Sequence, residues 1–209
     1  MSTSKNPWDE RYSSAEYVYG KLPNQFFKQQ LDKLAPGVLL LPAEGEGRNA
    51  VYAASRGWRG EAMDSSTEAR RKALALAAAQ GVEIHYQTGN LLDLDYPENS
   101  FDCIALIFAH FQPEIRAAYH QKLATLLKPG GTLILEAFSE EHAAYQKTNP
   151  NIGGPRQLEY LFSCKQLQND FSMLSITHLQ SAETSLSEGA LHQGVGSVVH
   201  LLATKQQKP

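Results

Sequence analysis

Two glycines and an aspartate are spaced as in a site for an adenosine-containing molecule. Gly45 and Gly47 lie in a turn directly after a short apolar run, and Asp64 follows the turn by about 17 residues, at the end of a second apolar run. Glycines let the backbone turn sharply and let a ligand lie against the main chain. An acid at this distance is placed to accept hydrogen bonds from both ribose hydroxyls. The pattern predicts an adenosine site.

The charges in this turn narrow the choice of ligand. Glu44 and Glu46 put two carboxylates where the phosphates of a dinucleotide would lie, and Ala50 stands at the third glycine position of a dinucleotide motif. S-adenosylmethionine has a sulfonium, an ammonium group and no phosphate, so an acidic turn suits it. Two alternatives stay open: a dinucleotide site, and a tight turn that merely carries surface acids.

The sequence around the turn predicts the elements that must hold it. Short apolar runs predict strands, and segments with apolar residues every three or four positions predict helices. The predicted strands are 38–41, 60–63, 82–88, 101–108 and 132–138, and the predicted helices are 48–54, 65–80 and 113–127. Alternation of this kind is typical of a parallel sheet covered by helices on both faces.

The two ends of the chain differ from this central pattern. The segment 8–20 is rich in aromatic residues, which favours packing against the rest of the protein, and a helix is predicted from 23 to 34. A helix is predicted over 163–170 with Ser163 as its N-cap. The last strands, predicted over 171–182 and 195–205, indicate a hairpin at the sheet edge, with its turn at 187–189.

Composition excludes several classes of protein. The chain has 209 residues, 42% of them hydrophobic and 20% charged, which is typical of one globular domain. A net charge of −3 argues against a nucleic-acid partner. No run reaches the roughly 20 apolar residues of a membrane span, and the first residues show no apolar signal segment. Two isolated cysteines fit a reducing compartment. We expect a cytoplasmic protein.

Several segments together resemble a known family. The turn at 38–50, Asp64, the segment 99–102, the Leu-Lys-Pro-Gly-Gly run at 127–131 and the Tyr-x-Tyr-Gly-x-x-Pro-Asn run at 17–24 are similar to those of class I S-adenosylmethionine-dependent methyltransferases. The resemblance covers about residues 8–204 and points to the small-molecule type, which includes the tellurite-resistance and thiopurine-like enzymes. The chain departs from that family at Leu41, at Ala43 and at Asn90, which replace an acid, a glycine and an acid.

The resemblance implies a fold, a domain organisation and a cofactor site. The fold would be α/β, a Rossmann-like doubly wound seven-stranded sheet in the order 3-2-1-4-5-7-6 with an edge β-hairpin. Residues 1–209 would form a single methyltransferase domain, with 8–35 as an N-terminal lid and helix and 139–160 as a substrate-side insertion. S-adenosyl-L-methionine would be the cofactor and S-adenosyl-L-homocysteine the product. The implied cofactor-binding residues are Ala43, Glu44, Gly45, Gly47, Asn49, Asp64, Ser65, Asn90, Leu91 and Phe108.

Methyl transfer needs mainly that the acceptor and the methyl group are held in line. A base is required only for an acceptor that arrives protonated. His110 follows the fourth strand and is a candidate to orient or deprotonate a substrate; the alternative is that it packs against or caps the next helix. Tyr19 is a candidate lid residue whose ring would cover the sulfonium.

Further polar residues have open roles. Glu188 and His192 stand four apart in the hairpin turn and either line a substrate mouth or are merely solvated. Arg48 either caps the start of the following helix or pairs with Glu44 or with a ligand carboxylate. Glu136 either reaches the pocket or has a structural partner, and the second alternative is favoured. The molecule that the protein binds besides its cofactor would be a small methyl acceptor. We expect no nucleic-acid partner, no membrane and no metal. Other function classes remain: an NAD(P)-binding oxidoreductase or a non-catalytic S-adenosylmethionine-binding protein.

Overall fold

The computed structural model describes residues 6–90, 93 and 95–207. In this part of the chain, seven strands form one sheet in the order β3-β2-β1-β4-β5-β7-β6. The strands are β1 (Val38–Pro42), β2 (Arg59–Asp64), β3 (His85–Thr88), β4 (Phe101–Ile107), β5 (Leu127–Phe138), β6 (Ser175–Glu188) and β7 (His192–Thr204). The predicted strand order and the doubly wound fold class are confirmed.

Helices cover the sheet and connect its strands. They are α1 (Pro7–Tyr12), α2 (Gln25–Leu31), α3 (Arg48–Ser55), α4 (Thr67–Ala79), α5 (Pro113–Leu126), α6 (His142–Thr148) and α7 (Cys164–Asp170), with a 3₁₀ turn at Leu158–Tyr160. A capping box of Ser163 and Gln166 starts α7, as the predicted N-cap requires. Among the helices described, none has the length and apolar character that crossing a membrane demands.

Strands β1 and β4 form the centre of the sheet because they carry apolar side chains on both faces. Leu39, Leu40 and Leu41 in β1 are almost completely buried. Leu39 and Leu41 pack on one face with α2 and α3, whereas Leu40 packs on the other with residues of α5 and α7. Only a strand that is covered on both sides accommodates such a run.

The structure corrects three boundaries. Residues 128–131, which precede the predicted strand 132–138, belong to β5, which starts at Leu127 opposite Phe101 and shifts register there. β3 begins at His85 rather than at 82, and its parallel pairing with β2 begins there. The hairpin strand β6 extends to Glu188, which pairs across the turn with His192 in β7. Paired backbone groups, rather than residue preference, decide these boundaries.

The N-terminal segment (residues 6–24) is fastened to the body of the protein by a buried lysine. Lys72 in α4 lies with its Nζ 2.5 Å from Oε1 of Glu46 and donates hydrogen bonds to the carbonyl oxygens of Ser14 and Glu16. Both charged side chains of the pair are almost completely buried. A buried charge needs such partners, so the lysine fixes the segment and the glycine turn together.

We expect Lys72→Met to lower the free energy of unfolding by about 3–5 kcal/mol, because the change leaves Glu46 buried without its counter-ion. Urea unfolding at pH 7 measures the change. Arg71→Ala is the matched control, since the neighbouring Arg71 makes only an exposed pair with Glu68 and should cost less than about 1 kcal/mol. Equal effects of the two variants would contradict the anchoring role of Lys72.

Candidate active site

The direction of strand succession reverses between β1 and β4, so the fold places the expected ligand crevice beyond the carboxyl ends of these two strands. Ligands of open parallel sheets bind at such switch points, beyond the carboxyl ends of the strands. Ala43 and Phe108, which directly follow these two strands, have positive φ values of 53° and 52°. Such a backbone conformation is unfavourable for residues other than glycine and concentrates at functional sites. Ala43 is exposed and Phe108 is half-buried, so both are accessible to a ligand.

The two glycines of the turn are required for different reasons. A Cβ atom on Gly47 would lie 2.5 Å from that of Ala73, so this glycine allows α3 and α4 to pack closely. A Cβ on Gly45 would lie 2.9 Å from the hydroxyl of Tyr12 in the N-terminal segment. The Tyr86 hydroxyl donates a hydrogen bond of 2.5 Å to the carbonyl oxygen of Gly45. The turn is therefore enclosed by Tyr12 on one side and by Tyr86 on the other.

Glu44 caps the helix that follows the turn. One carboxylate oxygen, Oε1, accepts hydrogen bonds of 2.8 Å from the backbone N–H groups of both Asn49 and Ala50 in the first turn of α3. Burial raises the pKa of this carboxyl to about 7, against the lowering effect of these hydrogen bonds. The helix N-terminus, where a dinucleotide phosphate would bind, is thus already occupied by a carboxylate of the chain.

Asp64 ends β2 at the rim of the crevice. Its Oδ2 accepts a hydrogen bond of 3.0 Å from the N–H of Gly45, and its Oδ1 accepts one of 2.9 Å from the N–H of Ser66. Burial raises the pKa of Asp64, and the backbone hydrogen bonds oppose that rise. Each carboxylate oxygen has a second acceptor position. The side chain is therefore oriented and retains capacity for further donors.

Ser65 and Asn90 extend the rim from Asp64 toward α5. Both residues are exposed. The Ser65 carbonyl oxygen accepts a hydrogen bond of 2.7 Å from Asn6, and the Tyr119 hydroxyl donates to the side-chain oxygen of Asn90. Leu91, which the family resemblance also assigns to this site, lies outside the described residues.

Asn49 is turned away from the crevice. Its side-chain nitrogen donates to Glu44, and its side-chain oxygen accepts a 2.9 Å hydrogen bond from the N–H of Asn24. The residue is almost completely buried. It thus joins the N-terminal segment to the cap of α3, and the geometry supports an indirect role in the site.

Both ring nitrogens of His110 are bonded within the protein. Nδ1–H donates a 2.8 Å hydrogen bond to the carbonyl oxygen of Tyr160, and Nε2 accepts one of 3.3 Å from the N–H of Phe138. Burial lowers the pKa of His110 to about 4, so the ring is neutral at pH 7. His110 therefore ties the end of β5 to the segment before α7, which favours the packing alternative over a reaction with substrate.

A polar cluster connects the tip of the last hairpin with α3. The carboxylate of Glu188 accepts hydrogen bonds from Arg48 at 2.9 Å, from Asn24 at 3.0 Å and from Nδ1 of His192 at 3.1 Å. The expected pairing of Arg48 with Glu44 is wrong in this geometry, because the guanidinium turns toward Glu188 and the Tyr19 carbonyl oxygen. The hairpin turn brings Glu188 opposite His192.

Aromatic rings surround His192. The centroids of Tyr19 and Phe108 each lie 4.6 Å from its imidazole, and that of Phe138 lies at 5.2 Å. Tyr19 belongs to the N-terminal segment, so the candidate lid residue covers the β4 side of the crevice. The spacing of Glu188 and His192 was the sequence signal for this cluster.

Glu136 has a structural partner on each side. Its Oε1 accepts a 2.7 Å hydrogen bond from Asn24, and its Oε2 lies 2.7 Å from Nε2 of His200. Asn24 therefore bridges Glu136 and Glu188, a role that sequence reasoning missed because an asparagine after a proline indicates only a helix start. Lys72 was missed for a similar reason, since it lies in a helix with no motif. Within the described ranges, His, Cys, Asp and Glu side chains form no metal-binding group of three or more.

These residues fit S-adenosylmethionine better than a dinucleotide. The carboxylate of Asp64 offers acceptors for hydroxyl groups, Ala43 and Phe108 expose backbone and ring beside it, and Glu44 excludes phosphate from the helix N-terminus. The two acids of the turn have partners within the chain, since Glu44 caps α3 and Glu46 pairs with Lys72.

The central part of this chain is similar to a known family of domains. Residues 41–131 match the sequence profile of a family described as a methyltransferase domain. Uncharacterized proteins of Mycobacterium bovis and Mycobacterium tuberculosis are 33% identical over 102 residues, which are 48% of this chain. The match spans only 37% of the length of these curated relatives.

Solved structures show the same fold over nearly the whole chain. One, from work on the conversion of a disulfide bond into a thioacetal group during echinomycin biosynthesis, has a TM-score of 0.78 at 17% identity and covers 97% of this chain and 92% of its own. An S-adenosylmethionine-dependent methyltransferase from Methanosarcina mazei has a TM-score of 0.65 at 17% identity, with 85% and 96% covered. At such identities the likeness concerns the fold.

We expect Glu44→Ala to lower the free energy of unfolding by about 1–3 kcal/mol, because two N–H groups of α3 lose their buried acceptor. Glu44→Gln keeps an oxygen at that place and should cost clearly less. Chemical unfolding of both variants at pH 8 measures the difference. If Gln were as harmful as Ala, the charge rather than the cap would be the important property.

The depressed pKa of His110 predicts a pH-dependent contribution to stability. The folded protein binds a proton at His110 less readily than the unfolded chain, whose histidine has a pKa near 6.5. The stabilisation is therefore complete above about pH 6.5 and is lost as the pH falls toward about 4, by about 3 kcal/mol.

Comparison with His110→Gln isolates this effect from other titrating groups such as Glu44. The difference in free energy of unfolding between wild type and variant should be largest at pH 7 and should shrink toward pH 4. Urea unfolding at several pH values gives this difference. A constant difference would show that His110 does not titrate in this range.

Proposed function

We propose that this chain, whose central segment is a methyltransferase domain and whose fold is that of class I methyltransferases, binds S-adenosylmethionine and transfers its methyl group to a small molecule. The occupation of the α3 N-terminus by the Glu44 carboxylate carries the choice of cofactor. A dinucleotide would have to displace a buried cap, whereas a cofactor without phosphate leaves the cap in place. This disfavours the NAD(P)-dependent alternative.

Asp64 is the residue to which we assign the ribose hydroxyls. Both of its oxygens are oriented by backbone N–H groups and keep acceptor capacity. Ser65 and Asn90 follow along the same rim and are assigned to the adenine side, to which the family resemblance adds Leu91, outside the described residues. Ala43 and Phe108 are assigned to the side where the methyl group lies, because they follow the two central strands.

The residues on the β4 side of the crevice hold the acceptor and exclude water. When bound, the cofactor supplies a methyl group on a positively charged sulfur. Tyr19 would present its ring to that charge, in keeping with cation–π attraction. The rings of Tyr19 and Phe108 each lie 4.6 Å from that of His192, and this compact aromatic wall suits a small acceptor better than a polymer. Orientation at near contact then provides much of the rate enhancement.

Isothermal titration tests the cofactor assignment. We expect S-adenosylmethionine and S-adenosylhomocysteine to bind, and NADH and NADPH not to bind. Asp64→Ala should weaken binding of the first two by about 10- to 100-fold, since a hydrogen bond to a charged group contributes about 1.5–3 kcal/mol. Asp95→Ala, at an exposed carboxylate, is the control.

Three results would each contradict a part of this proposal. Binding of NADH with no binding of S-adenosylhomocysteine would reverse the choice of cofactor. Equal affinities of wild type and Asp64→Ala would remove Asp64 from the site. Binding without methyl transfer to thiols, amines, phenols and metalloid oxyanions would favour a non-catalytic S-adenosylmethionine-binding protein.

A further inference from the structure

His192 lies against Phe108, the residue that directly follows β4, and one of its ring nitrogens remains available. Its Nδ1 lies 3.1 Å from Oε2 of Glu188, whereas Nε2 has no hydrogen-bond partner among the residues that the structure describes. The ring is almost completely buried between Tyr19, Phe108 and Phe138. The ring therefore combines a fixed orientation with a nitrogen that makes no hydrogen bond within the described part of the chain and lies near Gly153.

Glu188 determines the tautomer of this ring. Burial opposes ionisation of Glu188, but the hydrogen bonds from His192 and Arg48 lower its pKa to about 2. The ionised carboxylate can only accept hydrogen bonds, so Nδ1 of His192 must carry the proton. Burial lowers the pKa of His192, so the ring is neutral at pH 7 and Nε2 carries a lone pair.

Other histidines near this face lack an available nitrogen. His142 packs on Phe138 at 4.0 Å, much as His192 does, but its Nε2–H donates to Gly153 and its Nδ1 accepts from the N–H of Ser197. His110 also has both nitrogens engaged. These two rings therefore serve packing and positioning.

We propose that Nε2 of His192 is the general base that removes the proton from the methyl acceptor, and that Glu188 is the residue that positions it. This inference rests on the proposed function. The acceptor heteroatom gives its proton to Nε2, and its lone pair forms the new bond to the methyl carbon. The electron pair of the broken carbon–sulfur bond stays on sulfur, and the imidazolium later loses its proton to water.

The surroundings of His192 indicate the class of acceptor. Two carboxylates, Glu136 and Glu188, lie near the ring, and the guanidinium of Arg48 is already paired with Glu188. This charge balance repels an anionic acceptor such as a metalloid oxyanion. The flat walls of Tyr19 and Phe108 favour a flat apolar molecule. The acceptor class is therefore a neutral phenol or aromatic thiol.

The pH dependence follows from the groups that face His192. Glu188 on β6 and Glu136 on β5 favour its protonation, Arg48 on α3 opposes it, and His110 and His142 would repel its charge if protonated. Burial is the largest influence and disfavours the charged ring. Transfer to a phenol should therefore decline only as the pH falls below the ordinary range of histidine.

The test compares two phenols of similar shape. 4-Methylphenol stays protonated at neutral pH, with a pKa near the value of about 10 for tyrosine. 4-Nitrophenol is a much stronger acid and is largely ionised at pH 8.5. With saturating S-adenosylmethionine, His192→Gln should lower kcat for 4-methylphenol by about 10²- to 10⁴-fold with a smaller change in KM. The loss for 4-nitrophenol at pH 8.5 should be less than about tenfold, because that acceptor needs no base.

His142→Gln is the matched control, because this ring is also buried against Phe138. The control should unfold at lower temperature yet keep the ratio of rates for the two phenols. Nitrogen NMR gives a readout independent of turnover: His192 should be the neutral Nδ1–H tautomer at pH 7 in wild type and a mixture of tautomers in Glu188→Gln.

Each outcome bears on one proposal. If S-adenosylhomocysteine binds neither wild type nor His192→Gln in isothermal titration, the proposed function fails. If it binds both equally, the following results overturn the base assignment alone: equal loss of rate with both phenols, no loss with either, an Nε2–H tautomer, or wild-type protein that methylates neither phenol.

Discussion

One carboxylate, that of Glu188, joins the parts of the chain that meet at the crevice. It accepts hydrogen bonds from Asn24, from Arg48 and from His192, so the N-terminal segment, α3 and the last hairpin share a single, largely buried charge. A buried carboxylate is stable only while its partners are in place. The positions of the lid, of the glycine turn and of the histidine beside the crevice therefore depend on one another, although they are far apart in sequence.

The same requirement explains how five acids can lie at one edge of the sheet. Glu44 is satisfied by the first N–H groups of α3, Glu46 by Lys72, Asp64 by backbone N–H groups, Glu136 by Asn24 and His200, and Glu188 by Arg48. Of these, Asp64 depends on backbone donors alone and lies at the rim. Because these acids are paired within the protein, phosphate is disfavoured as a ligand at this edge. Asp64 is the oriented carboxylate that we assign to hydroxyl groups.

Local pattern was enough to predict the sheet and the turn, because β1, β4 and the glycines carry their information within a few residues. The wholly apolar run at 38–41 requires burial on both faces, and this places it at the centre of the sheet. Pairings across the fold have no such signal. Arg48 was expected to pair with Glu44, four residues away, but Glu44 is already satisfied by helix N–H groups, and Glu188 becomes the available acid only when the hairpin closes. The role of Lys72 likewise could not be predicted from the surrounding sequence, because it depends on the N-terminal segment that folds onto this residue.

The β4 side of the crevice has both a strained backbone, at Phe108, and a buried ring, that of His192. Phe108 has a positive φ value, and its ring packs against His192. The imidazole of His192 also contacts the rings of Tyr19 and Phe138. Such a backbone conformation persists only where the surroundings enforce it. The paired Glu188 and the neutral ring of His192 bring no net cation to this point. The proposed site would therefore combine the Asp64 carboxylate at β2, which we assign to hydroxyl groups, with an apolar wall at β4 that carries the proposed base. We assign the cofactor to the β2 side and the acceptor to the β4 side of the same sheet edge on the basis of this difference.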